Sequence, residues 1–306
     1  MTTNADSAPS DRVAERLQRS SAKHSYDPDV DIDWDAPLVD GAYGKPAHRC
    51  SLYGTPLWEG LSERQRAELS MQELGASTAS GVWFELILMQ GLTRYAYSAD
   101  PTSHRAQYAL TEIADECRHS TMFGKAIDKI DGIVHRPSRF GHRAGKLFGA
   151  VVGPTLLFSG AIYVEELADA MQREIMRDES LQPLGRMVSR IHVLEEARHI
   201  SFAKDELERA WRSHGPLARE ALRWALTGMM LVATEEFLHP KVYTSVGLDP
   251  REAKRVADSN PHWRQAKADW ARKAVELFAD MGIIRGPSSA VLRRAGLLDS
   301  VQRRPA

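Results

Sequence analysis

A chain of 306 residues with 43% hydrophobic and 26% charged residues has the composition of an ordinary globular protein and enough apolar material for one large core. Forty basic against 41 acidic residues leave a formal charge of −1, so there is no global field to attract nucleic acid or an anionic membrane, and neither is expected as a partner. Two cysteines, Cys50 and Cys117, are too few for a disulfide scaffold or a cysteine metal cage and fit a reducing compartment.

The first residues are polar with no apolar signal-like run, and no stretch reaches the roughly 18 uncharged apolar residues that a membrane span requires, so a cytoplasmic location is expected. Residues 1–59 are rich in Asp, Pro, Gly and Ser, and WDAP, DGAYGKP and YGTP read as turns. This stretch is expected to be a mostly irregular arm that wraps the core or a neighbouring subunit, with residues 60–306 forming a single helical domain. From Leu61 onwards apolar residues recur at helical spacing and alternating β-branched runs are almost absent, which predicts an all-α fold.

A first helix is predicted from Ser62 to about Tyr97, with Gly75 as a point where it could be interrupted, and a second from Pro101 to about Ile130. A loop carrying Gly132, Pro137 and Gly141 precedes a helix that ends near Glu179 and has a bend point at Gly153-Pro154. The next helix runs from about Leu181 to Ser213, closed by Gly215-Pro216, and a strongly apolar helix follows over 217–238. Shorter helices are predicted around 250–258, 262–282 and 287–297.

An internal repeat carries the chemistry. TEIADECRHS at 111–120 overlays IHVLEEARHI at 191–200 with an offset of 80, which places Glu116 on Glu196 and His119 on His199. The same offset places Glu85 on Glu165, so each half has a lone Glu followed, 31 residues later, by a Glu-x-x-His. Both lone glutamates sit within apolar helical runs, where an uncompensated carboxylate costs several kcal/mol, and a cation is the simplest compensation.

On a helix, residues i and i+3 project from one face with Cβ atoms about 5–6 Å apart, so each Glu-x-x-His can grip one metal or bridge to a second. Two such units plus two single glutamates make the ligand set of ferritin-like di-iron or di-manganese four-helix bundles, and four carboxylates balance two divalent cations. His192 lies within about 40° of Glu196 and about 20° of His199 around the helix, on the same narrow face. The equivalent position in the first half is Glu112, so the two metal positions are unequal.

The series Glu85, Glu116-x-x-His119, Glu165, His192-x-x-x-Glu196-x-x-His199 resembles the di-iron arylamine N-oxygenases, the p-aminobenzoate N-oxygenase-like branch of the ferritin-like carboxylate-bridged di-iron proteins. The resemblance covers roughly residues 80–240. It implies a ferritin-like four-helix core with additional C-terminal helices, two Fe ions (or Mn/Fe), dioxygen, an external electron donor, a small-molecule amine substrate and a homodimer. It implies as metal ligands Glu85, Glu116, His119, Glu165, His192, Glu196 and His199, and as reaction the oxidation of an (aryl)amine towards hydroxylamine and nitro.

Each assignment has a plainer competitor. Glu166 competes with Glu165 and Glu195 with Glu196; the offset of 80 selects Glu165 and Glu196 and leaves Asp115, Glu195 and Asp169 either to orient ligands or to pair with Arg118 and Arg198. His192 could instead be a hydrogen-bonded core histidine. Glu236 and His239 repeat the Glu-x-x-His spacing without a preceding lone Glu and are assigned to structure or capping. The zinc-protease motif His-Glu-x-x-His is absent, and carboxylate-rich ligation favours iron or manganese over zinc. Leu88, Met89, Phe123, Phe158 and Ile162 lie one turn from ligands and are candidates to line a substrate cavity. The same ligand set also serves di-iron C–H hydroxylases and desaturases and ferritin-like storage proteins.

Overall fold

The computed structural model describes residues 9–133 and 136–298, and among these no residue is in a β-strand. The arm contains α1 (Pro9–Ser21) and the single turns α2 (Pro28–Asp31) and α3 (Pro56–Glu59). There follow α4 (Glu63–Ser98), α5 (His104–Lys129), α6 (Arg139–Val151), α7 (Pro154–Arg177), α8 (Pro183–Arg212) and α9 (Pro216–Glu236). The C-terminal part adds α10 (Pro250–Ser259), α11 (Pro261–Asp280) and α12 (Pro287–Arg294), with 3-10 turns at Ala47–Arg49 and Pro240–Val246.

Local sequence sets these boundaries. Ser62 accepts from the Gln65 amide while the Gln65 side chain accepts from the Ser62 amide, a reciprocal cap that opens the 36-residue α4. Proline stands at the start of α7, α8 and α9, where its missing N–H costs nothing and its fixed φ suits the first turn. Short loops at 99–103 and 178–182 join α4 to α5 and α7 to α8, which makes each pair an antiparallel hairpin. The connection between the hairpins is long and carries α6, the crossover expected of a ferritin-like bundle.

The two hairpins pack along their lengths, α5 meets α8, and α4 meets α7, so the halves of the sequence repeat face one another. Around this core α11 and α9 cover α7, α6 leans on α4 and α9, and α1 lies against α5 and α8. The chain therefore has the all-α ferritin-like architecture with added C-terminal helices. No described helix is long and apolar enough to cross a membrane.

Three local expectations are refined. Gly75 does not interrupt α4; a Cβ there would come within 3.2 Å of Ile130 Cδ1, so the glycine serves close packing of the α5 end. Gly153-Pro154 is a break and not a bend, with Val152 and Gly153 extended between α6 and α7. The arm, read as mostly irregular, contains a 13-residue helix whose Ala14, Leu17 and Ser21 are buried on one face. The arm wraps its own bundle: the buried Lys45 Nζ lies 2.5 Å from Glu73 of α4, and Arg49 bridges Glu174 and Asp269.

Candidate metal centre

Each helix of the bundle presents its acidic or imidazole groups inward at the same level: Glu85 from α4, Glu116 and His119 from α5, Glu165 from α7, and His192, Glu196 and His199 from α8. None of the seven is more than 4% exposed. Their donor atoms form three overlapping sets, each within 4.8 Å: Glu116, His119, Glu196 and His199; Glu85, His119 and His192; and Glu165, His192 and Glu196. His119 Nδ1 lies 3.0 Å from Glu116 and 3.1 Å from Glu196, and His199 Nδ1 lies 3.0 Å from both. Glu112, though buried, joins none of these sets.

The outer faces of the imidazoles are held crosswise. His119 Nε2 of the first half is 2.9 Å from Glu195 of the second, and His199 Nε2 of the second is 3.1 Å from Asp115 of the first. Asp115 and Glu195 are themselves related by the offset of 80, and both also pair with arginine: Arg118 with Asp115, and Arg198 with Glu195 at 3.5 Å. The two roles weighed for these acids thus coexist. Asp169 does neither, pairing with Arg173 and Lys273, and Glu166 faces Lys204 at 2.8 Å, away from the centre.

Burial pushes the Glu85 and Glu165 carboxyls well above the usual carboxylate range, and the neighbouring carboxylates add to the shift. Burial also acts to raise Glu116, yet His199 and His119 outweigh it and hold that group well below its ordinary value. Glu196 is brought down to about 2 against burial and Glu116, mainly by His199 and His192. Burial opposes protonation of His119 and His199, but the surrounding carboxylates keep both well above the usual imidazole range. Protons on these groups balance the cluster, and a divalent cation arriving there would displace them.

Two observations test whether a metal fits. Glu85 Oε2 and Glu196 Oε2 are buried without a hydrogen-bond donor, a costly arrangement for carboxylates unless a proton or a cation meets them. Burial lowers His192 to about 4, so its ring is neutral; Nδ1–H donates a hydrogen bond to Gln172 Oε1 at 2.7 Å. Nε2 then turns a lone pair towards Glu85 and Glu196, at 3.3 and 3.6 Å, where it can meet either a proton on Glu85 or a metal ion. The donor set, oxygen-rich with three imidazoles, suits iron or manganese.

The sequence model of the family described as "P-aminobenzoate N-oxygenase AurF" matches residues 8–282. This chain belongs to that family. Similar proteins include uncharacterized protein Rv0885 of Mycobacterium tuberculosis (strain H37Rv) and uncharacterized protein Mb0909 of Mycobacterium bovis. Each is 29% identical over 301 residues, covering 94% of this chain and 88% of the relative.

In this member of the N-oxygenase family the centre adjoins two cavities. A small one of about 40 Å³ touches Glu85, Glu165 and His192 and includes Phe123 in its wall. A larger one of about 340 Å³ lies between α4, α6, α7 and α9, with Glu165 the one member of the seven in its wall. Of the residues suggested as cavity lining, Leu88 borders the larger space and Phe123 the smaller. Phe158 and Ile162 are closed core, and Met89 meets Cys117 instead. Glu236 accepts from Ser138 at the start of α6, and His239 Nδ1 accepts from the Lys241 amide, the capping roles expected of them.

Sequence reasoning missed two supports. Gln172, which fixes the His192 tautomer, lies seven residues past Glu165 on the same face of α7, a spacing that was available to find it. The Tyr26 amide of the arm, which donates to Glu195 at 3.1 Å, has no side-chain signal at all. Gln172→Leu is expected to lower metal affinity about 10–100-fold while leaving the helical fold in place, because His192 loses the acceptor that orients it. Metal titration followed by calorimetry checks this, and wild-type affinity in the variant would show that His192 is not held through Gln172.

Proposed function

We propose that this protein is a di-iron oxygenase that oxidises the nitrogen of an arylamine, with Glu85, Glu116, His119, Glu165, His192, Glu196 and His199 as metal ligands. The observation that carries this reading is the shared, fully buried cluster of four carboxylates and three imidazoles beside an apolar cavity. Bound iron supplies the activation of dioxygen and the redox change, with Mn/Fe as the alternative pair.

The protein's own groups do the rest. Asp115 and Glu195 turn Nδ1 of His199 and His119 inward, and Gln172 does the same for Nε2 of His192. Arg118 and Arg198 offset the charge of those outer acids. The cavity walls exclude water and bring a substrate nitrogen alongside Glu165. Each insertion places one oxygen atom on nitrogen and releases the other as water, which requires electrons and protons from an external donor.

Protein loaded with ferrous iron, then given oxygen, a reductant and a panel of arylamines and acyl substrates, is expected to hold about two irons per chain. It should yield hydroxylamine and nitro products by mass spectrometry. Oxidation confined to acyl carbons, or many irons per chain with no organic product, would overturn the proposal.

A further inference from the structure

The larger cavity has a charge pattern that selects among amines. A dry apolar cavity of about 150 Å³ accepts one benzene ring, so 340 Å³ suits two rings or one substituted ring. Trp83, Phe84, Phe140 and Phe148 supply aromatic wall, and glycines and alanines on α6, α7 and α9 open the space between them. Among the described lining residues there is no Arg, Lys or His; the ionisable groups are Glu165, which belongs to the buried cluster, and Glu236.

Glu236 is pinned where it stands. Its oxygens accept from the Ser138 hydroxyl at 2.6 Å and the Ser138 amide at 3.0 Å, and Gly141 leaves room for it, since a Cβ there would fall 2.4 Å from Oε1. A carboxylate has about four acceptor sites, so Glu236 can take a further donor from a ligand. The Ser80 hydroxyl offers nothing to a ligand anion, because it is spent on the carbonyls of Ala76 and Glu236. Arg94, Arg105 and Arg209 line a separate cleft that shares Leu157 with this one, and Arg139 and Arg143 of α6 are not among the lining residues.

A ligand carboxylate placed beside Glu236 would be desolvated next to an acid, with no basic side chain among the described lining residues to meet it, whereas a neutral or cationic substituent would not. We infer that the enzyme takes an aromatic amine that carries no acidic group, and that Glu236 is the specificity-determining residue, accepting a hydrogen bond from a donor on the substrate away from the nitrogen presented to Glu165. The choice of an amine rests on the N-oxygenase reading; the exclusion of acids rests on the cavity alone.

Binding and turnover are therefore measured separately on the iron-loaded protein, with para-aminobenzoate, para-aminobenzamide and para-(aminomethyl)aniline as probes. The amide and the aminomethyl compound are expected to bind about ten-fold or more tighter than the acid by calorimetry. Glu236→Gln, which keeps an acceptor for Ser138, is expected to abolish the advantage of the aminomethyl compound. Adding Met229→Lys to that variant places a cation in the wall and is expected to improve binding of para-aminobenzoate about ten-fold.

Binding of the acid as tight as that of the amide would overturn the inference, as would failure of all three probes to bind. An aminomethyl preference that survives Glu236→Gln would remove Glu236 from its assigned role. The predicted order of binding without any N-oxygenated product would keep the ligand class and discard the N-oxygenase reading.

Discussion

Glu116→Ala is expected to leave a folded protein that holds well short of two irons per chain and has lost more than about 100-fold of its activity. Groups that merely orient a ligand cost about 10–100-fold when removed, and Glu116 stands closer in, facing the Nδ1 atoms of both His119 and His199 at 3.0 Å. The consequence extends to stability, because a ligand that binds only the folded state stabilises it by about 2.7 kcal/mol at a hundred-fold excess over its dissociation constant. Anaerobic thermal unfolding with and without ferrous iron should show that increment in the wild type and little of it in Glu116→Ala. Glu166→Gln is the control: its carboxylate faces Lys204, and iron content should be unchanged. Equal iron in wild type and Glu116→Ala would remove this residue from the ligand set.

Ala144→Trp tests the cavity independently of the metal. Ala144 lies on the α6 wall, and an indole there occupies space that the substrate ring would need. Turnover of arylamines is expected to fall more than about ten-fold, since displacement of a reacting group by even 1 Å can cost about 100-fold, while iron content and thermal stability stay near the wild-type values. Lys146→Trp, on the exposed side of the same helix, should turn over normally. Undiminished turnover in Ala144→Trp would show that substrate enters elsewhere, the smaller cavity beside Phe123 being the alternative.

What could be read from the sequence follows from symmetry. The offset of 80 relates helix to helix, and the chain folds so that related positions face each other; Glu85 with Glu165 and Glu116 with Glu196 therefore reach one level of the bundle. The same offset relates Asp115 to Glu195, and the crosswise bonds they make are the part of the symmetry that spacing could not decide, because each acid has an arginine three residues on. Where the halves differ, the reading failed: Gln172 falls opposite Leu92 and has no twin to draw attention to it. Helix α1 was hidden by its composition, since a buried face of Ala14, Leu17 and Ser21 is nearly lost among charged neighbours. Part of the wall of the larger cavity comes from α6 and α9, helices outside the repeat, where the offset of 80 could not point.

The crosswise bonds and the arm contact also bear on when the centre can come into being. His119 needs Glu195, His199 needs Asp115, and Glu195 in turn takes the Tyr26 amide. No single helix or helical hairpin holds all of these. A ribosome releasing the polypeptide in chain order has made Glu85 and the α5 pair long before their counterparts exist, so with the proposed ligand set metal capture would wait until α8 has folded back onto α5.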